Sequence, residues 1–234
     1  KQLDWSVTRL ANGRINNPTL DRVRKMIGGW YILPFYGLAD RAPIDYFRFK
    51  PTNPPADKKP GKFKKYLGAE GVSPRAYCPN VTEGLWATIA ARYGVEKTGI
   101  DFWEWILDHP EIPVIITEGE QKAYAGLKAG YVVISLPGID CGYKSSSDND
   151  DGSGGKLSLI PDLQVPAERG RTIYIAFDRD SNPQTVKRVQ KARQKLARLF
   201  AELGCETRSI TALLGSYPDP IRLLRVIWGI STSF

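Results

Sequence analysis

The sequence predicts an α/β fold: a parallel sheet flanked by helices, preceded by a smaller basic α+β lobe. Three observations carry this. After about residue 110, short apolar runs without polar alternation (PVIIT, YVVISL, TIYIAF and CETRSI) are separated by helical stretches or long crossovers, the pattern of parallel strands covered on both faces. Before that point the texture differs, with aromatics, prolines and lysines gathered in short strand-like pieces. A length of 234 residues with 42% hydrophobic content suffices for one large domain or two modest ones, each with a core.

The elements follow in order. WYILPFYG (Trp30 to Gly37) and IDYFRFKP (Ile44 to Pro51) read as two arms of a hairpin around GLADRAP. A polar, proline-rich loop, TNPPADKKPGK, leads into KKYLGAEG. The spacing of Leu85, Trp86, Ile89 and Ala90, then of Phe102, Trp103 and Ile106, predicts two helices between Glu83 and His109, split by Gly94 to Gly99. Strands are expected over Pro113 to Thr117, Tyr131 to Leu136, Thr172 to Phe177 and Cys205 to Ile210. A helix over EGEQKAYAGLKAG places Ala123, Ala125, Leu127 and Ala129 as apolar positions. A long helix from Gln184 to Leu203 has Val189, Ala192, Leu196, Leu199, Phe200 and Leu203 on one face. The expected organisation is a basic aromatic-rich lobe over 1–82, a helical connector over 83–110, the sheet domain over 111–211 and a tail over 212–234.

Charge narrows the function. The 33 Lys and Arg outnumber the 25 Asp and Glu for a net charge of +8, which favours a polyanionic partner, nucleic acid first. No apolar run reaches the roughly 18–20 residues of a membrane span, and KQLDWSVTRL lacks the apolar core of a signal peptide, so the expected location is cytoplasmic, with no membrane partner. Cys78, Cys141 and Cys205 lie far apart and suit neither a disulfide framework nor a paired-cysteine zinc site. His109 in DHPEIP reads as a turn residue, and no arrangement of serine, histidine and acid supports covalent hydrolysis.

The chemistry concentrates where strands end. Glu118 closes one predicted parallel strand and Asp178 and Asp180 follow another, and ligands of open parallel sheets gather at the carboxyl ends of their strands. Two carboxylates 4 Å apart repel by about 4 kcal/mol at an effective dielectric of 20, too much to leave uncompensated in a marginally stable domain. A hard divalent cation, Mg²⁺ or Mn²⁺, removes that repulsion and keeps room in its shell for phosphate oxygens. On the long helix Lys187, Lys191, Lys195 and Arg198 form a stripe that could follow a phosphate backbone or simply face solvent.

An apolar strand ending in EG, a helix, a second strand, and then a strand ending in D-x-D before another helix resembles the Toprim domain of bacterial-type primases, topoisomerases and some nucleases. VIITEGEQKAYAGLKAGYVVISLPGI with TIYIAFDRDSNP is closer still to the Toprim-like domain of large primase-helicase proteins of plasmids, phages and other mobile elements. The resemblance covers about half the chain. It implies a metal site and catalytic role for Glu118, Asp178 and Asp180, with Lys122 beside them among the nucleic-acid or nucleotide contacts.

Upstream, LPFYG, YFRFKP, KKYLGAEG and RAYCP stand in the order of the basic subdomain that precedes Toprim in bacterial replicative primases. That order implies nucleic-acid or triphosphate contacts for Arg48, Lys64, Lys65 and Arg75, from a lobe whose basic face opens onto the acidic edge. The expected partners are single-stranded DNA or RNA and nucleoside triphosphates, and the expected activity is metal-dependent primer synthesis, with a Toprim nuclease or a catalytically silent DNA-binding module as alternatives. The sequence departs from the pattern in three places: a polar insertion, CGYKSSSDNDDGSGGK; a tail with Asp219 in place of a further acidic cluster; and the lack of a zinc module or a Walker loop. A helicase motor would therefore come from another chain or segment.

Overall fold

The computed structural model describes residues 30–57, 61–68, 72–144, 157–168, 170–178 and 181–210. The chain divides into two compact units, one of residues 1–36 with 42–73, the other of 37–41 with 74–234.

In the first unit, β1 (Trp30–Tyr36) and β2 (Pro43–Pro51) pair antiparallel, with Leu33 opposite Arg48, and the register shifts between Pro34 and Tyr36. Proline has no amide hydrogen for a ladder, so a shift beside Pro34 is where this strand can best absorb it. A short β3 (Leu67–Gly68) pairs with the other edge of β2. Side-chain alternation on β2 buries Phe47 and Phe49, whose rings meet edge to face at 4.9 Å, and leaves Arg48 and Lys50 half-buried between them.

The second unit begins with two helices, α1 (Glu83–Tyr93) and α2 (Phe102–Asp108). Gly94 ends α1 in the left-handed conformation, φ 65°, which costs glycine least. The Asp101 carboxylate caps α2, accepting from the Trp103 and Glu104 amides at 2.8 and 3.2 Å. Both helices supply core: Trp86, Ile89, Phe102, Trp103, Trp105 and Ile106 are buried. Two of these three buried indoles keep polar partners, Trp103 donating to Pro79 O and Trp105 to Glu96 O, each at 2.8 Å, while Trp86 Nε1 has none among the described residues.

Four parallel strands follow, β4 (Val114–Glu118), β5 (Val133–Leu136), β8 (Thr172–Ala176) and β9 (Glu206–Ser209), ordered β5-β4-β8-β9. Helix α3 (Glu120–Lys128) crosses from β4 to β5, and α5 (Pro183–Glu202) from β8 to β9. Between β5 and β8 lie a small antiparallel pair, β6 (Tyr143–Lys144) with β7 (Ser158–Leu159), and a single helical turn, α4 (Pro161–Gln164). Asn182 caps α5 by accepting from Gln184 N at 2.9 Å, and Pro183 takes the first helical position. Most of the predicted face of α5 is buried, whereas Leu203 lies beyond the last helical turn and is 45% exposed.

The two crossovers cover opposite faces of the sheet. Gly126 of α3 sits against Val133, while the loop glycine Gly142 lies among Leu196 of α5, Leu163 and Leu136; Val133 and Leu136, an odd number of residues apart on one strand, point to opposite sides. Coverage is uneven, however. β4 and β5 are apolar on both faces, but β8 alternates, with Ile173 and Ile175 buried and Thr172 and Tyr174 half-buried. Thus the sequence expectation of strands covered on both sides holds for β4 and β5, while the α3 side of β8 and β9 is partly open among the described residues.

One cation sits inside the core. Arg171, just before β8 in what the sequence presents as a basic turn, is fully buried. Its guanidinium donates to Ile112 O at 2.9 Å, to Ile106 O at 2.8 Å, and at longer range to His109 O and Leu107 O. It thereby satisfies carbonyls at the end of α2 that the helix leaves without amide partners. Burial lowers the Arg171 pKa, opposed by the nearby Glu168 carboxylate. No helix among the described residues is long and apolar enough to cross a membrane.

Candidate functional site

The carboxyl edge of the parallel sheet is built by the register of its two inner strands. Thr117 lies opposite Ala176 across β4 and β8, and its hydroxyl donates to the Ala176 carbonyl at 2.8 Å. The next residue on β4 is Glu118, and Asp178 follows two residues after Ala176, so one edge receives both. The chain turns from β4 directly into α3 at Gly119, whose φ of 86° suits glycine and whose amide donates to Leu136 O at 2.9 Å. That turn brings Lys122, in the first turn of α3, over the edge, where its ammonium donates to the Asp178 carboxylate.

Electrostatics bind these groups together. Burial raises the Glu118 pKa; Lys122 opposes the rise, and the charge of Asp178 and a hydrogen bond with it add to it, while Arg188 again opposes it. The Asp178 carboxylate is therefore close enough to act on the ionisation of Glu118. Arg188, from the second turn of α5, also grips Asp140 in the loop after β5 with bonds of 2.9 and 2.6 Å. Asp140 accepts a further 2.7 Å bond from the Tyr143 hydroxyl. Burial works to raise the Asp140 pKa, but the bonds from Tyr143 and Arg188 outweigh it and hold the pKa below its ordinary value. Lys195 lies 5.4 Å from the Tyr143 ring centre on the same side. An acidic pair with Lys122 and Arg188 beside it is an arrangement able to hold a cation at its centre and phosphate around it.

The predicted residues divide between places. Glu118, Asp178 and Lys122 come together; Asp180 lies outside the described residues, as do most of the 140–156 insertion and the 212–234 tail. Among the described residues no three Asp, Glu, His or Cys side chains form a ready metal cage. Lys187 and Lys191 are exposed on α5. In the first unit Lys64 is half-buried and Lys65 exposed, and the Arg48 guanidinium lies 4.8 Å from the Tyr66 ring centre, with Lys50 Nζ at 5.8 Å. Arg75 in the second unit has two nitrogens engaged by Asp162, at 2.8 and 2.6 Å.

Sequence reasoning passed over Asp140, Tyr143 and Arg188. A signal was present, since Arg188 and Lys195 stand two helical turns apart on α5 and so share a face, but the basic stripe was drawn through Lys187, Lys191, Lys195 and Arg198 and left Arg188 out.

Fold and edge together define an α/β domain with a paired carboxylate at the carboxyl end of a parallel sheet. A family described as a domain of unknown function (DUF3854) matches residues 102–215, from α2 to just past β9. An uncharacterised protein of Picosynechococcus sp. is 41% identical over 215 residues, which is 89% of this chain and 21% of that protein. The chain thus spans about a fifth of the length of that relative. No solved structure matches.

Proposed function

We propose that this is a nucleic-acid protein of Toprim type, in which the carboxyl edge of the sheet carries out metal-dependent phosphoryl transfer and, specifically, primase-like joining of nucleotides. The observation that carries the reading is the meeting of Glu118 and Asp178 at the ends of adjacent parallel strands, close enough that the Asp178 charge helps raise the Glu118 pKa. A structural role alone gives little reason to gather two acids at the exposed end of a sheet.

The donor set fits Mg²⁺ or Mn²⁺, which take hard oxygen ligands, often from only one or two carboxylates, with water and phosphate completing the shell. Glu118 and Asp178 would hold the ion, and Asp180, two residues on, is the further carboxylate the sequence offers. A bound divalent ion neutralises charge on a phosphoryl group and orients its oxygens. The chain's own residues do the rest. Without the ion, burial favours the protonated form of Glu118; on binding it, Glu118 would release that proton and serve as a carboxylate ligand. Lys122 and Arg188 orient phosphate oxygens, and the exposed Lys187 and Lys191 extend the cationic surface of α5 along a strand. In the first unit, Arg48, Lys50 and Tyr66 set cations against an aromatic ring, the combination that holds single-stranded nucleic acid without regard to sequence, and Lys64 and Lys65 add charge beside it.

The deciding experiment is incubation with a single-stranded template, labelled nucleoside triphosphates and Mg²⁺ or Mn²⁺, followed for both extension and cleavage. The reading expects extension that disappears in Glu118→Gln and Asp178→Asn. Cleavage lost in the same variants would make the edge a nuclease. Binding with neither reaction would make it a silent module.

A further inference from the structure

A concave feature of the second unit lies away from the acidic edge. Arg92 and Tyr93 at the end of α1, Tyr131 before β5, Thr172 and Tyr174 on β8 and Arg208 on β9 surround a cavity of about 430 Å³, with Glu111 and Pro113 completing its wall. It opens on the α3 side of the sheet, where β8 alternates because no described helix covers it. Thr172 precedes Asp178 by six residues along β8, on the order of 20 Å at the rise of a strand, so this is a separate place.

We propose that this cavity binds a nucleotide unit, a planar base carrying a phosphate. Three features argue for it. The volume lies within the range of small-molecule sites, about 300–1,000 Å³. Tyr93 and Tyr174 bring ring surface and hydroxyl groups to the wall, while Tyr131, 4% exposed, backs the Arg92 guanidinium. Two guanidiniums from separate elements supply the charge. Arg92 is held in place, its guanidinium 4.1 Å from the Tyr131 ring centre and bonded to Ala129 O at 3.0 Å. The chain makes room for it, because at Gly130, φ 83°, a Cβ would stand 2.9 Å from Arg92 Nε. Arg208 lines the cavity from β9, its side chain 62% exposed and its guanidinium 3.7 Å from the Glu206 carboxylate, an exposed pair that an anion in the cavity would compete with. Arginine's planar donor array suits phosphate, while the Glu111 carboxylate offers an acceptor to a base amino group. A bare anion would need the arginines but not the tyrosine rings, and an apolar ligand would need neither charge.

The nucleotide could be free or one unit of a strand, and the test separates these. The intact protein is titrated calorimetrically in EDTA buffer with AMP and, in parallel, with an eight-residue oligodeoxyadenylate. Saturable binding is expected, weakened at least about tenfold by Arg208→Glu and by Arg92→Gln, since each removes a charge-assisted contact, and retained in Asp178→Asn. Arg208 is exposed, so its variant should keep the parent melting temperature. AMP binding within a few-fold of the oligonucleotide assigns a free nucleotide; oligonucleotide binding more than tenfold tighter assigns a unit of a strand. No saturable binding of either probe, or binding indifferent to both arginine variants, overturns the proposal. Because the assay contains no metal and spares the acidic edge, its failure would leave the phosphoryl-transfer reading standing, and the reverse also holds.

Discussion

Arg75 and Asp162, far apart in sequence, form a two-pronged ion pair, Nε to Oδ2 at 2.8 Å and Nη2 to Oδ1 at 2.6 Å. Asp162 also accepts from the Ala76 amide at 2.9 Å and is 5% exposed. Replacing Asp162 by alanine would leave a guanidinium and a buried amide without their acceptor. The expected loss is about 3 kcal/mol, the low end for a broken buried pair because the Arg75 side chain keeps 31% exposure. Urea denaturation checks this; a loss under about 1 kcal/mol would mean that the pair behaves as a surface bridge.

Two glycines in helices should respond oppositely to alanine. At Gly126 in α3 a Cβ would stand 2.3 Å from Val133 Cγ2, whereas at Gly84 in α1 it would meet nothing within 4 Å. Val133 is β-branched and stiff, so Gly126→Ala should destabilise by about 1–3 kcal/mol despite its better helix propensity. Gly84→Ala should be neutral or stabilise by up to about 1 kcal/mol. Equal effects in thermal melts would rule out the close approach of α3 to β5.

Glu118 should make the metal-free protein less stable as pH rises. Its folded pKa exceeds the unfolded one, chiefly through burial; between the two values the folded state binds more protons, so the slope of stability against pH is negative. The contribution is complete below the unfolded carboxylate value and declines as pH climbs through the folded one. Glu118→Gln removes the loss, and its stability advantage over the parent should widen from acid to neutral pH and then level off. A gap that is constant or narrows across that range would contradict a buried, repelled carboxyl.

Lys122 should compete with a cation for Asp178. Removing its ammonium in Lys122→Ala frees the carboxylate, so Mn²⁺, titrated by its paramagnetic resonance, should bind more tightly than to the parent. Weaker Mn²⁺ binding would instead make Lys122 an organiser of the site.

Binding to single strands should fall steeply with salt. Neutralising Lys64 and Lys65 together is expected to lower the slope by up to about 1.4, from roughly 0.7 per phosphate contact, as read from fluorescence anisotropy over a salt series. Asp178→Ala should leave metal-free binding unchanged or slightly stronger. Abolished binding in a folded Asp178→Ala protein would make the carboxylate a direct contact.

The parallel sheet was legible because β4 and β5, buried on both faces, lack polar alternation, and α5 because its apolar positions recur at helical spacing. Glu118 and Asp178 could be assigned to one edge because parallel strands end on the same side. Arg171 and Asp162 escaped notice for a different reason. Each is a charged residue made acceptable in the interior by partners distant in sequence, and no local period encodes such a pairing. A buried arginine and a loop arginine look alike until the carbonyls around them are known. The open flank of β8 was hidden similarly, since Thr172 and Tyr174 are tolerated in both buried and half-exposed strands.

Arg171 has a bearing on how this architecture can be cut and moved. By fastening the end of α2 to the start of β8, it makes that helix part of the sheet unit. Trp86 of α1 stands 5.8 Å from Trp105 and 6.2 Å from Phe102, ring centre to ring centre, and Tyr77 makes a backbone bridge to Ser135 of β5. A fragment beginning at Phe102 would keep the fastening but strip the indoles of their cover and leave a sheet edge bare, inviting aggregation. Leu38 belongs to the same core and Arg41 donates to Cys78 O, so a portable module, whether exchanged by recombination or trimmed for expression, begins no later than Gly37.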